Sequence, residues 1–357
     1  MSVAFYEVTP GIQFSTSKWV VDYSIGYRDE SAVNENKLSR EFFALQHSIQ
    51  LNFIPNSNFN TRNTVTLRDK SISSAFIGAE NSDRNALLIR SNTDYRTNSE
   101  NWSGNLLYEV NTQRESLMQE AYIEVGPEIG QYTWDDLNND GVEQLDEFFS
   151  ELTPNEGTYI RQYLPSDVLL PVIDLRASIR NEFIPFAFLA DENQERVNFL
   201  SQIIFNSRID INENSTTQNL ADVYLLRLNT FRDSTNTISG RLSFEKELDI
   251  LPSYSDYDLR FRYSQTRSLN KRSSELQQIF LDAAVGEFSY KITNTVDGVT
   301  KIFSSTNRTN SNTIENRNFD IESNSVEQTL NMTVNRSWRT GMALFYTKKR
   351  DLLSLNE

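Results

Sequence analysis

Apolar and polar residues alternate along this chain over unusually long stretches. In residues 197–211 one side reads Val197, Phe199, Ile203, Phe205, Ile209 and Ile211, interrupted by Ser201 and Ser207. The other side reads Asn198, Gln202, Asn206, Arg208 and Asp210, with Leu200 and Ile204 as exceptions. A period of two is that of a strand with one apolar side. At roughly 3.3 Å per residue this stretch runs about 45 Å, whereas strands of soluble domains stop at about 5–6 residues. Strands that cross a membrane and protrude from it need such lengths.

The pattern recurs along the chain. Trp19, Val21, Tyr23, Ile25 and Tyr27 form one apolar set, and Phe43, Leu45, His47, Ile49, Leu51 and Phe53 a second. Trp102, Gly104, Leu106, Tyr108 and Val110 form a third, and Ile173, Leu175, Ala177 and Ile179 a fourth. Ile238 to Phe244, Leu259 to Tyr263, Phe288 to Ile292, and Leu330, Met332 and Val334 continue it. About 14–16 strands are expected at a spacing typical of antiparallel meanders. The expected fold class is all-β: an antiparallel meander forming a transmembrane β-barrel or an open arc of one, with one loop/helix insertion. Residues 1–126 and 168–357 supply barrel strands, and residues 127–167 the insertion.

The connections are of two kinds. Asp297-Gly298 reads as a hairpin turn between residues 288–296 and 299–304. Residues 70–85, 212–219 and 306–325 are rich in Asn, Ser and Thr and read as long loops. Tight turns on one side and long loops on the other suit a membrane barrel, although a soluble sandwich shows the same. Within the insertion, residues 130–134 read as strand and residues 145–152 as an acidic helix-like stretch.

The net charge of the 357-residue chain is −15 and its pI about 4.7. With no basic stripe to bind phosphates, nucleic acid is not expected as a partner. Cysteine is absent, which removes disulfides, thiolate chemistry and Cys-based metal sites together. Mean hydropathy is −0.53, and no apolar run approaches the roughly 20 residues of a membrane helix. Hydropathy is blind to barrels, because each lipid-facing residue is averaged with a lumen-facing one. Met1 leads straight into a strand-like stretch without a signal peptide, so the chain is expected to begin inside a longer protein.

Asp136, Asn138, Asp140, Gly141 and Glu147 fit the calcium-loop pattern D-x-[DN]-x-[DN]-G-x5-E. Side-chain oxygens at the first, third and fifth positions converge on one ion, Gly permits the sharp turn, and the last carboxylate closes the shell. The backbone oxygen of Val142 is the remaining ligand. Glu143 stands where an aliphatic residue is usual, and a strand rather than a helix precedes the loop. The readings are a structural Ca²⁺ clip or a metal-free Asx-rich turn.

Catalysis finds little support. The one histidine, His47, lies on the apolar side of its strand and reads as a packed residue; no enzyme is expected. Arg260 and Arg262 lie opposite Leu259, Phe261 and Tyr263, and the preceding strand carries Arg241, Glu245 and Glu247 on its polar side. Such facing charges suit a water-filled lumen, where cross-strand pairs set local packing. They equally suit the solvated face of a soluble sheet. Tyr6, Trp19, Tyr27, Trp102 and Trp338 at strand ends form either interface girdles or ordinary rim aromatics.

The block from Gly130 through Tyr132, Trp134, Asp136, Asn138, Asp140, Gly141, Leu145 and Glu147 to Phe148, followed by Thr158-Tyr159-Ile160-Arg161, resembles one found in large outer-membrane β-barrel proteins of Bacteroidota. The best-known member of that family is the SprA-type translocon of the type 9 secretion and gliding machinery. Residues 257–269 are also of a kind common in such barrels. The specific match covers under about a tenth of the chain, and the remainder resembles the family by pattern. The resemblance implies part of a very large, wide barrel in the outer membrane of a Gram-negative bacterium, one that conducts folded proteins outward. Outer-membrane lipid, exported proteins and other secretion components are its implied partners, and no catalytic residue is implied. Outer-membrane barrels usually end on an aromatic residue, and Glu357 departs from that, again as expected of a fragment.

The expected function is therefore an outer-membrane barrel component serving as a protein-export or solute pore. Its mechanism is passive, because a closed barrel satisfies backbone groups in lipid and a polar lumen gives a path. The alternative is a soluble, surface-exposed β-sandwich or adhesin with a structural calcium loop.

Overall fold

The computed structural model describes residues 3–34, 37–76, 84–127, 129–186, 199–216, 235–250, 256–272, 275–312, 317–333 and 338–353. Among the described residues seventeen strands form one sheet and there is no α-helix. The all-β antiparallel class expected from the alternation is borne out. Val197, Asn198 and Val334 lie outside the described residues.

The strands follow one another as an up-and-down meander. Both β1 (Val3–Val8) and β2 (Gly11–Ser15) pair with β3 (Trp19–Asn34). β4 (Lys37–Asn56), β5 (Phe59–Ile72), β6 (Arg84–Arg96) and β7 (Trp102–Glu124) continue it. β7 pairs onward with β10 (Tyr159–Phe183), and the short β8 (Tyr132–Trp134) and β9 (Phe148–Ser150) form a hairpin beside β10. Then come β11 (Ile203–Ser215), β12 (Thr237–Ile250), β13 (Tyr257–Lys271), β14 (Leu276–Thr293), β15 (Val296–Ser311), β16 (Phe319–Thr333) and β17 (Arg339–Asp351), each beside the last. β4 has 20 residues, β7 23 and β10 25. These exceed the roughly 9–11 residues a strand needs to cross a bilayer.

Two compact units divide the strands. The first comprises residues 1–113, 173–212 and 244–260, and the second residues 114–172, 213–243 and 261–357. In the first unit the register puts like on like. Trp19 faces Phe53, Val21 faces Leu51 and Tyr23 faces Ile49, while Asp22 faces Gln50 and Ser24 faces Ser48. Hydrogen bonds Ser48–Thr66 (3.2 Å) and Thr61–Thr93 (2.7 Å) continue across the sheet. The apolar side chains are not sealed in a core. Trp19, Ile49, Val65 and Leu67 are exposed, and so are Phe205 at 44% and, in the second unit, Phe261 at 46%. Two stacked sheets would have covered them, so the sandwich reading loses its basis.

Several local expectations are corrected. Residues 199–202 form a 3-10 turn and the strand starts at Ile203; Leu200 and Ser201 interrupt the alternation at that point. Asp297-Gly298 is not the turn. β14 and β15 meet at Asn294-Thr295, where the Thr293 hydroxyl accepts from the Thr295 N–H at 3.2 Å. Gly298 instead faces Tyr290, and a Cβ there would fall 2.6 Å from the ring. The Thr- and Asn-rich stretches are strand further than expected. β15 and β16 pair as far as Thr309 opposite Phe319, and β11 runs on to Ser215. Threonine fits a pleated surface well when the neighbouring strand supplies the ladder. Residues 145–152 are a 3-10 turn (Leu145–Glu147) followed by β9 rather than a longer helix. Ile173, Leu175 and Ala177 are buried, and Asp174 between them is buried too, so β10 is covered on both sides there.

The second unit is strongly curved. β7 and β16 stand seven strands apart in the meander, a separation of about 34 Å in a flat sheet. Yet Arg317, just before β16, hydrogen-bonds both carboxylate oxygens of Glu120 near the end of β7.

Candidate functional site

In the first unit a cavity of about 780 Å³ opens among the ends of β5, β6, β7, β10, β11 and β12. Its walls are charged and amide side chains: Asp94, Asn105, Arg180, Glu182, Arg208 and Glu245 among them. Alternation puts Arg208 and Asp210 on the polar side of β11, where Arg208 Nε reaches Asp210 Oδ2 at 2.5 Å. Ser178 donates to the same aspartate at 2.8 Å from the adjoining β10. Asn105 donates to Asp94 at 2.7 Å across the β6–β7 pair. Most of the charge is thus matched locally, and the surface is polar without being strongly of one sign.

The charges singled out in the sequence fall on this side in part. Glu245 and Glu247 line the cavity. Arg260 Nε stands 4.0 Å from Glu247 and 2.7 Å from Asp249, its nearer partner. Asp249, which the alternation also puts on the polar side of β12, was not expected in the set. Arg241 on β12 and Arg262 on β13 are exposed and belong to the second unit.

An aromatic row marks the strand ends nearest the cavity. Trp19 stacks on Phe53 with ring centroids 3.8 Å apart, Phe53 meets Phe59 edge-on at 6.1 Å, and Tyr95 meets Trp102 edge-on at 5.4 Å. Trp19 and Trp102 are exposed. His47 Nδ1 lies 2.9 Å from the Tyr23 hydroxyl.

In the calcium-like loop, Asp136 accepts the N–H groups of Asp140 (3.1 Å) and Gly141 (2.9 Å), and Asn138 accepts that of Asp140 at 2.9 Å. Gly141 sits at φ +71°, as the turn requires. These bonds are those of an Asx-rich turn. Glu147 departs from the pattern. It is 2% exposed and its Oε2 accepts from Trp134 Nε1 at 2.9 Å and from the Gln144 N–H at 3.2 Å. Among the described residues no group of three or more carboxylates or histidines converges as a metal cage. The Asp136, Asn138 and Asp140 oxygens accept backbone N–H groups of their own loop, and Glu147 would have to leave Trp134 and Gln144 to serve an ion.

The most tightly bound charges belong to the second unit, and no periodicity pointed to them. Arg317 Nη1 donates to Glu120 at 2.8 Å and to Glu275 at 2.6 Å, and Nη2 donates to the Tyr122 hydroxyl at 3.0 Å. Arg272, just past β13, donates to Glu275 at 2.6 Å, and Arg161 lies 4.0 Å from Glu120. The side chains of Glu120 and Glu275 are fully buried. Counted from Trp102, Glu120 and Tyr122 lie beyond the roughly 9–11 residues of a crossing strand. Burial, with the Glu120 charge, pushes the Tyr122 phenol up to about 12.

No protein-family model matches the chain, and no curated protein matches it. Among solved structures it is similar to OmpT, an outer membrane protein of Vibrio cholerae folded in vitro. The trimer form is 10% identical, over 98% of this chain and 90% of that one, with a TM-score of 0.31. A second structure of OmpT is 10% identical, over 95% and 90%, with a TM-score of 0.30. Likeness at that level settles neither the kind of barrel nor its cargo. Nothing in that likeness excludes catalysis, and the expectation of no enzymatic activity is dropped.

Proposed function

We propose that the chain is part of an outer-membrane β-barrel of a Gram-negative bacterium and gives polar cargo a passive path across it. One observation carries this reading. A single antiparallel sheet has strands far longer than a soluble domain uses, with apolar side chains exposed on one side and Arg, Asp, Glu and Asn paired across strands on the other. In water, exposed apolar surface on that scale costs roughly 25 cal/mol per Å²; in lipid it is solvated. The paired polar side is suited to a water-filled lumen. The aromatic row supports an interface girdle at one set of strand ends.

The finer reading is a protein-export pore of the SprA type, working with exported proteins and other secretion components. It rests on the block around residues 130–161. The Asp136–Glu147 loop in that block is proposed as a low-affinity Ca²⁺ clip.

Reconstitution is the test. The purified chain, refolded in detergent, should float with liposomes through carbonate washing and conduct ions in planar bilayers. A monodisperse chain that stays in buffer without detergent would end the membrane reading.

A further inference from the structure

The buried ionic cluster of the second unit joins elements that the meander keeps far apart. Glu120 and Tyr122 lie near the end of β7, Arg272 follows β13, Glu275 precedes β14 and Arg317 precedes β16. Neighbouring-strand pairs such as Arg308–Asp320 only decorate the ladder. Arg317 instead bridges two carboxylates from non-adjacent strands, with its own side chain 13% exposed.

We infer that these side chains form an ionic pinch that draws β7, β13, β14 and β16 together and narrows that end of the second unit. This inference rests on the pore reading above. A bidentate guanidinium–carboxylate pair fixes direction as well as distance. Removing either partner leaves an uncompensated buried charge. The pinch is also incompletely satisfied. Glu275 Oε1 is buried with no hydrogen-bond partner among the described residues, as is Asp320 Oδ1 of the Arg308 pair. Tyr163 lies under Arg272 at 4.5 Å and adds a flat, weakly directional contact.

The experiment compares the wild-type chain with Arg317→Gln and Arg308→Gln in planar bilayers. Arg317→Gln is expected to raise single-channel conductance severalfold, and Arg308→Gln, which breaks a neighbouring-strand pair, to leave it unchanged. Equal conductance in wild type and Arg317→Gln, or the same rise in both variants, overturns the pinch. Because the chain has no cysteine, Glu120→Cys with Arg317→Cys gives a proximity measurement independent of conduction. A short bismaleimide should join the two thiols in the refolded protein and reverse the rise in conductance. A conducting protein whose conductance is the same with and without Arg317 overturns the pinch alone. Efficient cross-linking in a chain that conducts in no form sinks the pore reading and the pinch's role in it.

Discussion

Arg260 Nε lies 2.7 Å from Asp249 Oδ1 and 4.0 Å from Glu247 Oε1, so one guanidinium on β13 serves two carboxylates on β12. Asp249 is buried and also accepts from Asn206 Nδ2 at 3.3 Å. The three side chains tie β11, β12 and β13 on the polar side of the sheet.

Arg260→Gln is expected to cost little stability, about 1 kcal/mol or less, because the arginine is 40% exposed and solvent screens the pair. Its charge effect should be larger than its stability effect. With Asp249 and Glu247 left unbalanced, reversal potentials across a salt gradient should shift toward cations. Glu247→Gln should shift them the other way. Identical selectivity in all three proteins would mean that these charges do not face the conducted path.

Gly298 opposite Tyr290 is a packing glycine. A methyl at Gly298 would fall 2.6 Å from Tyr290 Cζ, and the ring is held by Gln328, which donates to its hydroxyl at 3.0 Å. Gly298→Ala is therefore expected to destabilise by about 1–3 kcal/mol, the usual cost of overpacking. Adding Tyr290→Ala should recover part of that loss in a urea titration. Asp297→Ala, at the neighbouring position, should be nearly silent. A loss from Gly298→Ala that persists without the tyrosine ring would point to a backbone requirement instead.

The same glycine shows what could be read from the sequence. Period-two alternation located the strands well, because Trp19, Tyr23 and Ile49 keep one side however the sheet curves. Asp-Gly misplaced a turn because local propensity carries no information about Tyr290 across the ladder. The Thr- and Asn-rich stretches concealed strand ends for a similar reason, since a partner strand stabilises what propensity leaves undecided. Arg317, Glu120 and Glu275 were invisible, being brought together by curvature over 197 and 42 residues of separation. Asp249 was within reach, one alternation beyond Glu247.

The loop from Asp136 to Glu147 is expected to bind Ca²⁺ only weakly, with Kd on the order of 10⁻⁴–10⁻³ M as in extracellular modules. Glu147 must break its bonds to Trp134 and Gln144 before it can serve an ion. Calcium should therefore change Trp134 fluorescence, and Asp140→Ala should abolish both that change and the calorimetric heat. A heat unaffected by Asp140→Ala would leave the loop an Asx-rich turn.

Acid should loosen the Glu120 cluster, and the sign follows from its surroundings. Burial raises the Glu120 carboxyl, but hydrogen bonds and charge from Arg317, aided by Tyr122 and Arg161, outweigh it and leave the group below its ordinary 4.5. A carboxylate with a depressed folded value contributes stability that is full above the unfolded value and is lost as pH falls through the folded one. The contacts should therefore hold unchanged from neutrality to about pH 5 and fail only below the ordinary carboxylate range. Cross-linking of the chain carrying both Glu120→Cys and Arg317→Cys is no reporter of this, since the carboxylate and the guanidinium are both gone. Hydrogen exchange at the end of β7 in the wild type is. Wild type should lose protection there only below pH 4.5, and Glu120→Gln should lack it at every pH. Loss of protection centred between about pH 6 and 7 in the wild type, where an unperturbed histidine rather than a carboxylate titrates, would show that another group controls the contact.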